Sequence, residues 1–363
     1  MTGTTSSNDP EISHLTGADL GDRQARRVVW AFMLLAVSLP VADVVVRWRG
    51  GGPAEASSSI RRHVQSLLIA SGGEGSHGVQ VGGRGWLYSR AEMAALFRKP
   101  FRSLRAKEDH PVIALTRQLR EQDVPLLLVQ VPVKPSIYPE NLSVKKFDAP
   151  VVSPDEAEVL GAIRSAGADL LDLTSEMWRL KLRKQVFLQQ DNHWTPDAMK
   201  AMAEIVARHI RTKYHQALKP PDETPVVNAR LLDRSSFGNL VALLDPASPA
   251  RLFPEEQVTL VSIVGLDPRP DAAISLIGGS LVSVFDDPMH GFATEEEAAA
   301  GRRLNAGLGN QLSVLLNEPL DVQTTDGGVG AAFRAWSSRS EDEKKRKKLV
   351  VWVCSSQDLI QPW

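Results

Sequence analysis

Two short stretches of this sequence carry side chains that could act together on an ester. The first is Gln190-Asp191-Asn192-His193-Trp194-Thr195-Pro196. A carboxylate two residues before an imidazole can hold that ring in one orientation, which is what a serine nucleophile requires of its base. Alone, the triplet is equally a surface loop whose aspartate caps local backbone donors. The second stretch is Ile274-Ser275-Leu276-Ile277-Gly278-Gly279-Ser280-Leu281, an apolar run that closes on two glycines and a serine. The glycines permit a tight turn at a strand's carboxyl end, so the Ser280 hydroxyl can project into a cleft while its own N–H faces a developing oxyanion. A Gly-Gly-Ser is also an ordinary turn. What points to acyl transfer is the occurrence of both stretches in one chain of suitable architecture.

That architecture is legible in the periodicity. Thr195 suits an N-cap and Pro196 a first helical position, so a helix is expected over 196–214 with Ala198, Ala201, Met202 and Ile205 along one face. The helix start fixes the Asp-x-His pair in the loop before it. Residues 124–133 are almost continuously apolar, as a strand covered on both faces must be, and follow a helical pattern at 111–121. Further strands are expected at 168–173, 258–264, 273–277, 322–325 and 349–354, with helices at 155–166 and 294–316. Such alternation predicts an α/β fold with a mostly parallel sheet between helix layers, where sites gather at the carboxyl ends of the strands. The charged run 341–348 reads as a solvated turn before the last strand.

Composition narrows the class further. A chain of 363 residues with 43% apolar content can fill one enzyme-sized core. Its 42 basic and 43 acidic residues leave a formal charge of −1, which gives nucleic acid no general attraction. A single cysteine, Cys354, excludes an internal disulfide and a cysteine-built metal site, and its apolar neighbours place it in the core.

Residues 1–27 are polar at first and end on Arg23, Arg26 and Arg27, which reads as a disordered cytoplasmic tail. Residues 28–46 form a nineteen-residue stretch interrupted mainly by Ser38, Pro40 and Asp43, close to the roughly 20 apolar residues that span a bilayer. A single-pass transmembrane anchor is the favoured reading. The rival is a cleaved signal peptide with its apolar region at 28–39. Either reading exports the rest. Arg47, Arg49, Arg61 and Arg62 follow the stretch, so the charge asymmetry that would orient it is weak. Residues 47–78, rich in glycine and serine around a short helical pattern at 59–70, read as linker, and the folded body is expected over 79–363.

Five segments occur in the order seen in a known family. They are Gly82-Gly83-Arg84-Gly85-Trp86-Leu87-Tyr88, Val131-Pro132-Val133-Lys134-Pro135-Ser136-Ile137-Tyr138-Pro139-Glu140, the Asp191-x-His193-Trp194 stretch, Phe237-Gly238-Asn239-Leu240 and Gly278-Gly279-Ser280. Over roughly residues 79–354 the chain resembles the alginate O-acetyltransferase family, the AlgJ/AlgX-like SGNH proteins, including the placement of Asp-x-His ahead of the serine. The resemblance implies a three-layer, SGNH/flavodoxin-like fold and a periplasmic serine acetyltransferase of the inner membrane. In it Ser280 takes the acetyl group, His193 is the general base and Asp191 orients it. It also implies an exopolysaccharide acceptor, a multi-pass membrane O-acyltransferase as acetyl donor and no cofactor. The Ser280 N–H would be one oxyanion donor, with Gly279 beside it, and Asn239 stands where the family usually has aspartate. Lys134, Tyr138 and Trp194 match family motifs at positions that could touch substrate or shape the loops.

The departures are specific. Gly279 replaces the aspartate expected before the nucleophile, and Val353-Cys354-Ser355-Ser356 lacks an arginine often found near the last strand. Three functions remain open on sequence: transfer to a sugar hydroxyl, hydrolysis with the same triad, and a catalytically silent scaffold of an acetylation complex. Which polysaccharide is modified is not encoded in any of these motifs.

Overall fold

After a short antiparallel pair, β1 (Val79–Val81) and β2 (Leu87–Ser89), strand β3 (Leu126–Val131) is buried along its whole length and lies between β4 (Asp169–Asp172) and β9 (Leu349–Ser355). On the far side of β9 come β7 (Ile274–Gly278) and then β8 (Asp321–Thr324), so the sheet has five strands in the order β4-β3-β9-β7-β8. Every neighbouring pair is parallel. The chain leaves β3 towards one edge and β7 towards the other, and returns to insert β9 between them. That reversal leaves a crevice at the carboxyl ends of β3, β7 and β9, the place where doubly wound sheets carry their sites. The structure, a computed structural model, describes residues 78–97, 110–143, 146–218, 226–244 and 253–360.

Among the described residues the helices of eight residues or more are α1 (Arg90–Phe97), α2 (Pro111–Glu121), α3 (Pro154–Ala166), α4 (Thr174–Lys181), α5 (Pro196–Lys213), α6 (Leu308–Leu316) and α7 (Gly328–Ser337). They cover both faces of the sheet and divide the core. One cluster packs α5 and α6 against Leu127, Val129, Leu276 and Val351, and the other packs α2, α3 and α7 against Leu128, Ile277 and Trp352. Alternate residues of β3 thus face opposite layers, which is why its sequence shows no polar alternation. α5 begins as its sequence requires: Thr195 Oγ1 accepts from the Ala198 N–H at 3.2 Å, with Pro196 in the first turn. Its buried stripe is Ala198, Met199, Met202, Ala203, Val206, Ala207 and Ile210, while Ala201 and Ile205 are only half-buried. The expected face is therefore rotated towards Met199 and Ala203, because two layers rather than one press on this helix.

Three expectations change. The helix expected over 294–316 is two, Glu295–Ala299 and α6, because Gly301 and Asn305 adopt left-handed backbone at φ 61° and 54°. Asp286 anchors the link by accepting from the Asn305 N–H at 2.9 Å and pairing with Arg303. The strand expected at 258–264 is real but outside the main sheet. It belongs to β6 (Glu256–Val264), which pairs antiparallel with β5 (Asn228–Ser236), a strand the sequence pattern did not show. β5 is largely exposed, so it lacks the apolar alternation by which strands are recognised. Lastly, the charged run 341–348 is not wholly solvated. Lys347 is buried, donates to the carbonyls of Pro270 and Ala272 at 2.6 and 2.9 Å, and pairs with Asp321 at 2.7 Å, because this turn feeds the central strand β9.

Cys354 is buried as expected, and burial pushes its thiol well up, out of the reactive range. Among the described residues no helix is long and apolar enough to cross a membrane. The stretches 1–27, 28–46 and 47–77, and the helical pattern at 59–70, lie outside the described residues.

Candidate active site

The Asp191–His193 loop is held by backbone contacts from four directions. Phe187 and Trp194 form an antiparallel bridge, and the Leu188 N–H donates to the His193 carbonyl at 3.0 Å. Glu256, the first residue of β6, accepts from the Gln189 and Gln190 N–H groups at 2.7 and 2.5 Å. On the next side comes Gly238, where a β-carbon would lie 2.2 Å from the Gln190 carbonyl oxygen and 2.7 Å from the Asp191 nitrogen. Only glycine lets the Phe237–Asn239 segment approach this closely. Beneath the loop, Lys134 is fully buried and spends its three N–H donors on the carbonyls of Leu87, Gln189 and Asp191 at 2.5, 2.8 and 2.9 Å.

The loop presents a fixed Asp–His pair. Asp191 Oδ1 lies 2.6 Å from His193 Nδ1 and accepts the His193 backbone N–H at 2.9 Å, while Oδ2 accepts the Asn239 N–H at 2.9 Å. Burial alone would raise the Asp191 carboxyl, but the charge and hydrogen bond of His193 and the backbone donors hold it down at about 2. An ionised Asp191 keeps the hydrogen on Nδ1. Nε2 is then the basic nitrogen, and it is buried with no hydrogen-bond partner in the protein.

Ser280 opens a single helical turn, Ser280–Ser283, directly after β7. As its first residue its N–H has no acceptor within the turn. Gly278 is dictated by crowding, since a β-carbon there would sit 2.4 Å from Val282 Cγ2 and 3.0 Å from the Val353 carbonyl. Gly279 is not: a β-carbon would meet only the Thr325 carbonyl at 3.4 Å. Gly307 supports the turn from behind, where any side chain would strike Asp286 and the Val282 carbonyl at 2.8 Å.

His193, Gly279 and Ser280 line one cleft of about 220 Å³ at the carboxyl ends of β3, β7, β8 and β9. Asn192, Pro132, Val133 and the Thr325–Gly328 segment complete much of its wall. The His290 ring stands 6.0 Å from that of His193, with its Nε2 3.0 Å from Ser283 Oγ. Burial, then the charge of His193, lower the His290 imidazole from its usual value. Among the described residues no group of three His, Cys, Asp or Glu side chains could hold a metal ion.

The remaining residues singled out from sequence stand behind the cleft. Asn239 acts through its backbone on Asp191, and its side chain bonds Asn192 at 2.6 Å. Tyr138 stacks on Trp86 with ring centres 4.3 Å apart, and its hydroxyl accepts the Val186 N–H at 2.9 Å. Trp194 is 1% exposed within the core. Lys134, Tyr138 and Trp194 are absent from the cleft lining and hold the loops that form it. Three residues escaped the sequence reading: Glu256, and the cleft-lining Glu92 and Asp358. The one available signal was an acid in the otherwise apolar Met93-Ala94-Ala95-Leu96 neighbourhood of α1.

The main sheet is that of a doubly wound α/β protein, with a serine after its third strand in sequence and an Asp-x-His loop lining the same cleft. The family model described as "SGNH hydrolase-like domain, acetyltransferase AlgX" matches residues 79–353, and the chain belongs to that family. The protein named "Probable alginate O-acetylase AlgJ" from Pseudomonas aeruginosa is 30% identical over 224 residues, 59% of this chain and 52% of that protein. Its namesake from Pseudomonas fluorescens is 32% identical over 145 residues, 39% of this chain and 35% of that one. The chain therefore spans about half the length, or less, of these curated relatives. Among solved structures, the O-acetyltransferase domain of Pseudomonas putida AlgJ aligns with a TM-score of 0.57 at 20% identity, covering 78% of this chain and 93% of that one. Pseudomonas aeruginosa AlgX aligns at 0.52 and 17% identity, covering 80% and 64%. Both share the fold.

Proposed function

We propose that this chain is a serine O-acetyltransferase that moves acetyl groups through a Ser280 acyl-enzyme onto hydroxyls of an exported polysaccharide. The observation that carries this reading is His193: its Nδ1 is fixed by Asp191, its Nε2 has no partner in the protein, and the residue lines the same cleft as Ser280. In the first half-reaction Nε2 takes the Ser280 proton as Oγ attacks the acetyl carbonyl, and returns it to the departing alcohol. The Ser280 N–H faces the oxyanion. In the second, Nε2 takes the proton of a sugar hydroxyl, which attacks the acetyl-serine carbonyl and releases Ser280. Water in place of the sugar turns the same triad into an esterase.

Family membership and the alginate O-acetylase names of its relatives support an acetylated polysaccharide as product. The retained Asp–His geometry favours activity over a silent scaffold, despite Gly279. We further place residues 28–46 as an inner-membrane anchor with the folded body in the periplasm, supplied with acetyl by a multi-pass membrane O-acyltransferase. Support for the anchor is the apolar composition of that stretch.

Turnover of an activated acetyl ester, measured with the full chain and with Ser280→Ala and His193→Ala, tests the chemistry. Losses of about 10²-fold or more are expected in both variants, and equal turnover in all three proteins refutes it. Acetylation of an added oligosaccharide then separates transfer from hydrolysis. Sedimentation with membranes that persists after deletion of residues 28–46 refutes the anchor.

A further inference from the structure

The cleft is rich in carboxyl groups, and His193 is the one basic side chain among its described lining residues. Glu92, Asp326 and Asp358 line it together with Asn192 and Gln357, and among the described residues no lysine or arginine does. Lys134, the cation nearest by its effect on Glu92, is unavailable to a ligand, because its three donors are committed to the carbonyls of Leu87, Gln189 and Asp191. Two further observations point to a polar ligand here. Glu92 is 4% exposed, yet its Oε2 has no hydrogen-bond partner in the protein. Thr325 Oγ1 on the opposite wall is likewise buried without a partner.

We propose that the acceptor entering this cleft is an uncharged sugar, held by hydroxyl hydrogen bonds to Glu92 and Asp358, and that a uronate is disfavoured there. This rests on the acetyltransferase reading for its relevance, but it concerns binding and is tested by binding. A sugar hydroxyl is donor and acceptor at once, and suits a wall of carboxyl and amide groups. A uronate carboxylate brought beside Asp326 and Asp358 finds no lysine or arginine in the lining to pair with, and pays both desolvation and repulsion.

The state of the carboxyls agrees. Burial, opposed by Lys134 and reinforced by Asp191 and Asp358, pushes the Glu92 carboxyl up to about 8. Burial also raises Asp358, against the Ser355 hydroxyl and N–H that hold it. At neutral pH Glu92 therefore carries a proton it can donate to a sugar oxygen, beside acceptors for the sugar's own hydroxyls.

The test uses the full chain carrying Ser280→Ala, so that nothing turns over, at pH 7 and low salt. Titration by calorimetry with cello-oligosaccharide and with oligomannuronate of equal length should show the neutral oligomer binding at least about tenfold more tightly. Adding Glu92→Leu should weaken the neutral oligomer about fivefold or more. Adding Asp326→Lys, at an exposed position that leaves the core untouched, should tighten the uronate severalfold and narrow its gap to the neutral oligomer. Equal or tighter uronate binding overturns the proposal, as does an unchanged affinity in Glu92→Leu or the failure of the neutral oligomer to bind. Hydrolysis of an acetyl ester by the unsubstituted chain reports separately on Ser280 and His193, so a failed acceptor assignment is distinguishable from a failed triad.

Discussion

Glu92→Gln should make the protein more stable, by an amount that grows with pH. The Glu92 side chain is 4% exposed, and its carboxyl is pushed up from 4.5 to about 8. For an acid with a raised folded-state value, the neutral form belongs to the native state. Its contribution is complete below the unfolded value near 4.5 and is lost as pH rises through about 8. Raising the carboxyl from 4.5 to about 8 corresponds to about 5 kcal/mol against the folded state once Glu92 must ionise, at about 1.4 kcal/mol for each tenfold change in proton affinity. Glutamine keeps the shape and hydrogen-bonding capacity of the neutral acid and carries no titrating proton. Urea unfolding followed by circular dichroism should therefore find the variant about 1 kcal/mol more stable at pH 5 and about 5 kcal/mol more stable at pH 9. A stability difference that stays within about 1 kcal/mol between those two pH values refutes the reasoning, because it removes the link between the buried carboxyl and its proton. A buried acid that costs stability and lines the cleft fits a position kept for binding.

Four further outcomes follow from the site. Asp191→Asn should preserve the loop but leave Nδ1 without a carboxylate, lowering ester turnover about 10²- to 10⁴-fold with stability changed far less, as steady-state kinetics and thermal melts will report. Gly238→Ala forces a β-carbon against the Gln190 carbonyl, so it should cost about 2 kcal/mol or more and depress turnover by displacing Asp191, measured by denaturation and kcat together. Lys134→Met removes three buried hydrogen bonds to the carbonyls of Leu87, Gln189 and Asp191 and should destabilise by about 3 kcal/mol or more, although the residue touches no substrate; a change below about 1 kcal/mol would contradict its placement. Thr195→Ala removes the cap of α5 and should cost about 1 kcal/mol with little effect on KM.

The comparison of sequence with structure is instructive at particular elements. The α2 boundaries, Pro111–Glu121, and the main-sheet strands β3, β4, β7, β8 and β9 fall within a residue or two of where apolar runs and flanking breakers place them. These signals are local. Burial on both faces removes polar alternation from a parallel strand, and Thr-Pro or Gly-Gly at an element's edge restricts the backbone whatever surrounds it. β5 and the split between Glu295–Ala299 and α6 were not legible, because each depends on a partner distant in the chain. β5 depends on β6, and the split depends on Asp286 gripping the link.

The candidate site divides in the same way. From the sequence alone came Asp191, His193 and Ser280 as candidates, nominated by residue type and spacing and given roles by the family resemblance, and the α/β class, for which periodicity is enough. Only the tertiary structure decided that the Asp191–His193 loop and the Ser280 turn share a cleft, that Lys134 is spent on backbone carbonyls, and that Glu92 and Asp358 stand in the wall. Those facts depend on the insertion of β9 between β3 and β7, which brings carboxyl ends from remote parts of the chain to one edge of the sheet. The electrostatic character of the cleft follows from the same insertion. A carboxyl's burial and its distance from the nearest cation are properties of the packed chain, and no spacing along the sequence encodes them.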